Sequence, residues 1–536
     1  MRVLECPRDG FRWTPLLPPC LGEPLPCPLP IHNSGLVPDC PSPREFYMLP
    51  AMKEIHFVDT TLRDGPSSLW AMGIRTDMML PVASIMDEAG FLAMEIIASA
   101  FFKKCVRELK DDPWARVRRV KEQVPKTPLR LIRNRYMAAF QHTPPAVQQL
   151  WLERLAANGI SEARTSDPSN TPAVWAEQVR TASAAGLDTI VNLIFSVSPK
   201  HTDEYYAERT REAVKLPVKR ICLKDPGGLL TPDRTRSLAP VVLENAGGVP
   251  VEFHTHCNSG LGPLCTLEAI EAGIPIINAA LPPLSDGSSN PSLFNIIRNA
   301  RALGYNPVID EESLVPVSEH FTRVAKQEGL PIGAPLSYDA YHFMHQVPGG
   351  MISNLRHQLA NIGMGDRLGE VLEEACRVRE EFGYPIMVTP YSQFVGSQCA
   401  INVIVGRRYE QVTDEVIQYA LGFWGEEECS SMDPDVRDRI LDRPRARELQ
   451  GWRPPETSVK ELREKIGGAG VSDDELLLRY FTSEEDVRAM QQAPARAGNG
   501  GNLVGLIRSL TERSETRQIL IRRPDLSVRL GRQPGM

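Results

Sequence analysis

The sequence predicts an α/β protein: a (β/α)8 TIM barrel followed by a mostly α-helical funnel domain. Short runs of β-forming apolar residues alternate with amphipathic helical stretches, a pattern typical of a parallel sheet with helical crossovers. Eight such runs within about 250 residues indicate a closed barrel. The runs lie at 55–61, 91–97, 128–134, 160–165, 189–196, 220–225, 251–256 and 274–281.

Composition shifts divide the rest of the chain. Residues 1–51 are rich in proline and lack helical or strand periodicity, so we expect a disordered leader, explained by a start codon placed too far upstream of Met52. We predict the barrel at 52–305 and the helical funnel domain at 306–492, where amphipathic runs dominate. The Gly-rich linker and C-terminal segment, 493–536, reads as a helix followed by a β-strand pair that docks a partner or a second protomer.

Charge and cysteine content exclude several classes of protein. The 536 residues carry a net charge of −7 with both signs interspersed, so no basic surface for nucleic acid or an anionic membrane is expected. No apolar run approaches the roughly 20 residues that span a bilayer. The 11 cysteines, an odd number without a CxxC motif, indicate free thiols and a cytosolic protein.

A candidate metal site lies at three strand ends. His254 and His256 are two residues apart on the seventh run, so both imidazoles point to the same face. Asp64 follows the first run and Lys224 ends the sixth, and in a barrel the carboxyl ends of all strands meet at one mouth. An HxH pair is also common as a plain polar strand end, and that alternative stays open.

Further charged residues follow other strands. Arg63 precedes Asp64, Arg133 and Arg135 end the third run, and Arg164 ends the fourth. Structural alternatives exist, because Arg164 and Asp167 could form an ion pair and Asp225 could only orient a neighbour. Clustering at one barrel mouth nevertheless favours a functional site.

Long ordered motifs carry a family resemblance over roughly residues 53–490. The chain resembles the carboxyltransferase family, which includes the carboxyltransferase domain of pyruvate carboxylase, the oxaloacetate decarboxylase alpha subunit and the central subunit of transcarboxylase, within the metal-dependent superfamily of HMG-CoA lyase. The segments that carry the resemblance are DTTLRDGPSSLW, ICLKDPGGLLTP, HTHCNSG, QVPGGMISNL and VTPYSQFVGSQ.

The resemblance implies a divalent ion, typically zinc, manganese or cobalt. Its implied ligands are Asp64, a carboxylated Lys224, His254 and His256. Carboxylation has a physical reason, since an ammonium beside a dication is repelled whereas a carbamate oxygen is an anionic ligand. Such a metal stabilises the enolate of a 2-oxo acid.

Arginines at the mouth are expected to bind the anionic substrate. Arg63 and Arg133 match family positions near the substrate, and Arg133 is the strongest expected contact. Arg135 stands where the family usually has Gln or Ala; it recognises a second carboxylate or pairs with Asp167. We also predict substrate contacts from Ser67 and Arg164, and catalytic roles for Arg63, Lys224 and Asn258.

Departures from the family pattern bear on the reaction. Asn258 stands where the family usually has a threonine that shuttles a proton, and an amide cannot relay a proton as a hydroxyl does. Ser67 replaces a substrate-contacting glutamine, and residues 96–103 replace a WGGATFD segment, which leaves Lys103 in place of its aspartate. These changes indicate an altered substrate or reaction.

Three functions follow from these patterns. The leading one is a metal-dependent carboxyltransferase or decarboxylase subunit for a 2-oxo acid or related carboxylate, with biotin on a separate carrier because the sequence has no AMKM-like motif. It would work with a biotin carrier or biotin carboxylase subunit, as a homodimer or larger assembly. The alternatives are a biotin-independent lyase, aldolase or hydrolase that cleaves a C–C bond, and a non-enzymatic scaffold.

Overall fold

Eight parallel strands close into a barrel, which confirms the predicted fold class. The computed structural model describes residues 52–137, 142–468, 470–494, 518–523 and 526–531. Strands β2 to β8 pair in chain order, and β1 pairs with both β8 and β2. They are β1 (Glu54–Asp59), β2 (Ala93–Ala98), β3 (Leu129–Arg133), β4 (Glu162–Thr165), β5 (Asp188–Ile194), β6 (Arg220–Asp225), β7 (Val251–Thr255) and β8 (Ile276–Ala279).

Helices surround the barrel as crossovers. Local signals begin several of them: Asp112 accepts a hydrogen bond from the Trp114 backbone N–H, and Thr231 accepts one from the Arg234 N–H, each just before a proline. The helices are α1 (Asp64–Leu69), α2 (Thr76–Glu88), α3 (Ser99–Lys104) with a π-helical extension (Cys105–Leu109), α4 (Pro113–Gln123), α5 (Pro145–Asn158), α6 (Pro172–Ala184), α7 (Asp203–Ala213), α8 (Pro232–Asn245), α9 (Gly262–Glu271) and α10 (Leu293–Ala302).

An ion network fills the barrel interior below the mouth. Arg130 on β3 donates to both carboxylate oxygens of Glu252 on β7, at 2.7 and 2.8 Å, across the barrel rather than between neighbouring strands. Arg220 joins Glu252 to Glu162 through contacts of 2.6 Å each. The three residues Arg130, Glu162 and Glu252 are fully buried, so each charge depends on its partners.

The chain after the barrel is mostly helical. β9 (Asn306–Pro307) pairs with β1, and α11 (Glu311–Glu328) packs against α2. A second hydrophobic core spans Val347 to Leu449. The helices of this part of the chain are α12 (His342–His345), α13 (Gly349–Asn361), α14 (Leu368–Glu381), α15 (Tyr391–Val405), α16 (Asp414–Ala420), α17 (Glu426–Ser430), α18 (Pro434–Leu441) and α19 (Pro444–Gln450), with a 3-10 turn (Gly365–Arg367) before α14.

The last helices return to the barrel core. α20 (Val459–Leu462), with a π-helical extension (Arg463–Gly467), α21 (Asp473–Phe481) and α22 (Glu484–Gln491) contribute Leu477 and Phe481 to the same core as the strands. The predicted helical character is therefore confirmed, whereas the predicted boundaries at 305/306 and 492/493 stay predictions.

The chain termini are described only in part. Within 493–536, β10 (Gln518–Arg523) and β11 (Leu526–Gly531) form the predicted strand pair, which is antiparallel. The helix predicted before them, and the leader at 1–51, lie outside the described residues. Among the helices that the structure describes, none is both long and apolar enough to cross a membrane.

Candidate active site

Three predicted metal ligands meet at the carboxyl-terminal mouth of the barrel. One ligand atom from each of Asp64, His254 and His256 lies within 4.8 Å of the other two. The Asp64 Oδ2 atom is 3.2 Å from His254 Nε2 and 3.5 Å from His256 Nε2. All three residues are buried. A carboxylate oxygen with two imidazole nitrogens suits zinc, manganese or cobalt, whereas calcium prefers oxygen alone.

Hydrogen bonds orient both imidazoles toward the centre. His256 Nδ1–H donates to the Ser288 carbonyl oxygen at 2.7 Å, and His254 Nδ1–H donates to Asn278 Oδ1 at 3.1 Å. Each ring therefore presents the lone pair of its Nε2 atom to Asp64, the arrangement that metal-binding histidines require. Burial and the nearby Arg164 lower the pKa of His254 to about 3, which keeps this imidazole neutral.

Close packing and charge hold Asp64 in place. Asp64 begins α1, and a Cβ atom on Gly65 would lie 2.7 Å from the Leu284 carbonyl oxygen, so only glycine permits this approach. Burial acts to raise the pKa of Asp64, but Arg63 and His256 hold it well below its usual range. Arg63 Nη2 donates to Asp64 Oδ2 at 2.8 Å. The carboxylate is therefore an anionic ligand at neutral pH.

Lys224 reaches the same site from β6. It is buried, and its ammonium makes no hydrogen bond or ion pair with any other described residue. Burial, Arg164 and Arg63 lower the pKa of Lys224 to about 8. The residues present thus fit the implied group: three convergent donors, and a buried amine whose conversion to a carbamate would add the fourth, anionic donor.

Two pockets open from this centre. One, of about 340 Å³, contains Asp64, His256 and Asn258 and is bordered by Ser288, Ser392 and Met351. The other, of about 350 Å³, lies toward the ends of β2 and β3. Four residues line both pockets, so these residues form the wall where two reactants would meet. They are Ser67, Lys224, Thr389 and Gln393.

Arg63 and Ser67 lie where the sequence predicts. Arg63 lines the second pocket; its Nε and Nη2 atoms bond Glu95, while Nη1 has no partner within the described part of the chain. Ser67 donates its hydroxyl to the Arg63 carbonyl oxygen at 2.7 Å and lines both pockets. Both remain candidate substrate contacts.

Arg133, the strongest predicted substrate contact, lies away from both pockets, and its role in substrate binding stays a prediction. Its Nη1 atom donates to the Gln178 carbonyl oxygen and to Thr181 Oγ1, both at 2.8 Å, so the guanidinium faces α6. Burial lowers the pKa of Arg133 to about 10. Its neighbour Ile132 lines the pocket instead, because successive strand residues point to opposite faces.

Replacement of Arg133 therefore tests its placement. We expect Arg133→Ala to leave the dissociation constant of a 2-oxo acid unchanged and to lower the free energy of unfolding by about 1–3 kcal/mol, since two buried acceptors lose their donor. Calorimetric titration and thermal unfolding of the same samples measure both. Weaker binding at unchanged stability would restore Arg133 to the site.

Arg135 and Arg164 are also occupied by protein partners. Arg135 pairs with Asp167 at 2.6 Å and donates to the Trp424 carbonyl oxygen, which agrees with the pairing alternative. Arg164 pairs with Glu95 at 2.7 Å inside the barrel, not with Asp167, and contacts His254 Nδ1 at 3.4 Å. Neither lines the two pockets, and their roles as substrate contacts stay predictions. Arg164 therefore lies inside the barrel beneath the metal site, in contact with His254.

Asp225 and Asn258 shape the turn above the metal site. Asp225 accepts the backbone N–H groups of Leu229 and Leu230, both at 2.8 Å, which confirms its structural alternative. Asn258 donates its amide to the Gly227 carbonyl oxygen at 3.1 Å while lining the first pocket. Its catalytic role stays a prediction, and its side chain at least ties the loop after β7 to the loop after β6.

Sequence reasoning missed Thr389 and Glu95. Thr389 is exposed and lines both pockets, and its hydroxyl bonds no other described residue. Its signal was present, because Thr389 lies in the motif segment VTPYSQFVGSQ. Glu95, fully buried on β2, joins Arg63 to Arg164. The sequence feature that could have revealed Glu95 is a carboxylate within the apolar run AMEIIA.

Family models match most of the described chain. A model described as "HMGL-like" matches residues 54–320, and a model described as "Conserved carboxylase domain" matches residues 343–503. The first covers the barrel and the second covers the region with the second hydrophobic core.

Curated relatives are carboxylase and carboxyltransferase subunits. A pyruvate carboxylase subunit of Methanocaldococcus jannaschii is 36% identical over 391 residues, which are 72% of this chain and 68% of that protein. The 2-oxoglutarate carboxylase large subunit of Hydrogenobacter thermophilus is 31% identical (79% and 61% covered). The methylmalonyl-CoA carboxyltransferase 5S subunit of Propionibacterium freudenreichii is 28% identical (72% and 76% covered).

Solved structures share the fold. The carboxyl transferase domain of Rhizobium etli pyruvate carboxylase with oxalate superposes with a TM-score of 0.74 at 24% identity, covering 82% of this chain and 77% of that one. The same domain with pyruvate and biocytin gives a TM-score of 0.73 at 23% identity, covering 82% and 78%. At these identities the likeness establishes the architecture alone.

Proposed function

This chain belongs to the pyruvate carboxylase-type carboxyltransferase family, and on that premise we propose that it is the metal-dependent carboxyltransferase or decarboxylase subunit of a biotin system acting on a 2-oxo acid. The observation that carries the proposal is the convergence of Asp64, His254 and His256, with buried Lys224, on a mouth with two pockets. Two pockets suit a reaction with two partners, a carboxyl carrier and an acceptor.

A divalent zinc, manganese or cobalt ion held by Asp64, His254, His256 and carbamylated Lys224 would polarise the 2-oxo group and stabilise the developing enolate. The chain's residues would supply the rest. Arg63, fixed by Glu95 and Asp64, directs its free Nη1 toward the substrate carboxylate. Arg63 and Lys224 are themselves buried, which strengthens their electrostatic contacts.

Thr389 is our candidate for proton transfer. Thr389 belongs to the wall that both pockets share, together with Ser67 and Lys224, and a hydroxyl both donates and accepts a proton. Transfer of a carboxyl group to the acceptor carbon removes one proton from it, and the reverse reaction returns one. With Thr389 in this position, Asn258 need not carry the proton.

Paired variants test this role. We expect Thr389→Val, which preserves shape without a hydroxyl, to lower kcat by about 10²–10⁴-fold with little change in substrate affinity, because proton transfer contributes about that much. Thr389→Ser should recover most of the rate. Steady-state kinetics of oxaloacetate decarboxylation provides the measurement, and equal activity of the Val and Ser variants would exclude the hydroxyl.

A second candidate function rests on Asn258. Its amide bonds the Gly227 carbonyl oxygen, at the position where the sequence resemblance leads us to expect a threonine. That difference favours a biotin-independent lyase or aldolase with the same metal and enolate chemistry. The two candidates differ in one readout, the dependence of the rate on biotin.

The partners and location complete the proposal. We propose that biotin arrives on a separate carrier polypeptide, charged by a biotin carboxylase subunit, and that the chain acts in the cytosol as a homodimer or larger assembly. Relatives named as subunits of carboxylases support a multi-subunit enzyme.

Decarboxylation of oxaloacetate by metal-loaded protein, with and without free biotin, tests the proposed function. The C3–C4 bond breaks, the carboxyl group leaves to biotin or as carbon dioxide, and C3 gains a proton to give pyruvate. We expect biotin to raise the rate. Cleavage at a rate that does not depend on biotin would favour the lyase, and a metal-loaded protein that neither decarboxylates oxaloacetate nor binds any 2-oxo acid would exclude the proposal.

A further inference from the structure

The pocket toward β2 and β3 has two chemically different ends. One end holds the wall shared with the first pocket, which includes Lys224, together with Arg63, which donates to the metal ligand Asp64. The other end is formed by apolar side chains, which we call the apolar lobe. The lobe residues are Met72, Ala98, Ala100, Phe101, Ile132 and Met137.

The lobe is a built feature rather than an open surface. Phe101, Ile132 and Met137 are at most 3% exposed, and Ala98 is 8% exposed. Phe101 and Ile132 also belong to the main hydrophobic core, so the walls are fixed by packing. At about 350 Å³ the pocket falls within the range of small-molecule sites, about 300–1,000 Å³. A three-carbon acid such as pyruvate, bound at the shared wall, would not reach the lobe, and water would fill it.

Basic residues lie at only one end of this pocket. Among the described residues that line it, Arg63 and Lys224 are basic, and carbamylation of Lys224 would leave Arg63 as the cation. Arg133 is bound to α6 and Arg135 to Asp167, so neither offers a guanidinium to the lobe. The other polar residues of the lining are neutral: Ser67, Asn134, Ser166, Thr389 and Gln393. A second carboxylate placed there would be desolvated without a counter-ion, which is costly.

We propose that the acceptor of this enzyme is a monocarboxylic 2-oxo acid with an aliphatic substituent of two or more carbons on C3, which occupies the apolar lobe while its carboxylate lies at Arg63. The inference rests on the proposed function and narrows its substrate class. The small side chains of Ser67 and Ala98 leave room for the substituent on C3. Ile132 and Phe101 provide apolar surface for it to contact. Neither pyruvate nor 2-oxoglutarate fills such a site well.

A ligand series tests the proposal directly. Calorimetric titration of the metal-loaded full chain would use pyruvate, 2-oxobutanoate, 2-oxopentanoate, 2-oxohexanoate and 2-oxoglutarate. Each added methylene should tighten binding about fourfold until the lobe is full, since burial of one methylene contributes about 0.8 kcal/mol. 2-Oxoglutarate should bind more weakly than 2-oxopentanoate, which has the same chain length without the second carboxylate.

A variant with a larger side chain in the apolar lobe provides a second test of the proposal. Ala100 on α3 is exposed to the pocket, so Ala100→Phe places a ring in the lobe without overpacking the core. We expect at least a tenfold drop in the ratio of 2-oxohexanoate to pyruvate affinity. Ala302→Phe, at an exposed position on α10, introduces the same ring away from the site and should keep the ratio of the parent protein.

The outcomes separate this inference from the proposed function. Tightest binding of pyruvate or 2-oxoglutarate, with biotin-stimulated decarboxylation of oxaloacetate intact, would overturn the apolar acceptor and leave the carboxyltransferase. Absence of both 2-oxo acid binding and decarboxylation would overturn both. A rise in affinity along the series that Ala100→Phe abolishes and Ala302→Phe preserves would establish the lobe as the substituent site.

Discussion

His256→Ala is expected to lose bound metal and activity together, by at least about 100-fold in each. The imidazole supplies one of three convergent ligand atoms, and its Nδ1–H is already committed to the Ser288 carbonyl oxygen, so no other group is placed to replace it among the described residues. Loss of a hydrogen-bond partner of a ligand alone typically costs about 10–100-fold, and loss of the ligand itself should cost more.

Elemental analysis of the purified variant and the oxaloacetate assay measure both effects. His357→Ala is the matched control, because His357 is exposed on α13 and should keep a full complement of metal. Retention of one equivalent of metal by His256→Ala would show that the centre lies elsewhere. Loss of metal from both variants would indicate a non-specific effect of removing histidine.

Glu252→Ala is expected to destabilise the protein by about 3–5 kcal/mol. Glu252 is fully buried and accepts from Arg130, Arg220 and Asn278, so its removal leaves two buried guanidinium groups short of a counter-ion. Glu204→Ala removes a carboxylate from an exposed pair with Arg211 and should change stability by less than about 1 kcal/mol. Urea unfolding at neutral pH compares them.

Acid should weaken the same network. Burial acts to raise the pKa of Glu252, but Arg130 and Arg220 hold it below the usual value of 4.5. A carboxylate with a lowered folded-state pKa stabilises the protein above pH 4.5, and this contribution is lost as the pH falls through the lowered value. The stability difference between the parent protein and Glu252→Gln should therefore shrink below pH 4.5. A difference that stays constant down to about pH 3 would contradict the network's role.

The barrel and the metal ligands were predictable because their signals are local. Each strand is predicted from its own apolar run, and residues at the carboxyl ends of barrel strands must converge. Asp64, His254 and His256 follow or end such runs, so their meeting at one mouth is a consequence of the fold class alone. Every predicted strand run overlaps an observed barrel strand, as the closed pairing order requires.

The roles of the arginines depend on information that one sequence does not contain. Whether Ile132 or Arg133 faces the barrel mouth is decided by strand register, and Ile132 is the register partner of Arg164 inside the barrel. A shift of one residue in strand register would move each of these side chains to the opposite face of the strand. Thr389 lies in the region after the barrel, far along the chain from Lys224, so only the tertiary packing brings them to one wall.

The requirement for a metal ion at the barrel mouth is tested by measuring the rate of oxaloacetate decarboxylation while metal-free protein is titrated with a divalent ion. We expect the rate to rise linearly and to level off at one equivalent of metal per chain, with no such rise in the His256→Ala variant. An undiminished rate in metal-free protein, or a rate that ignores added metal in a protein that binds it, would contradict a metal centre at Asp64, Lys224, His254 and His256.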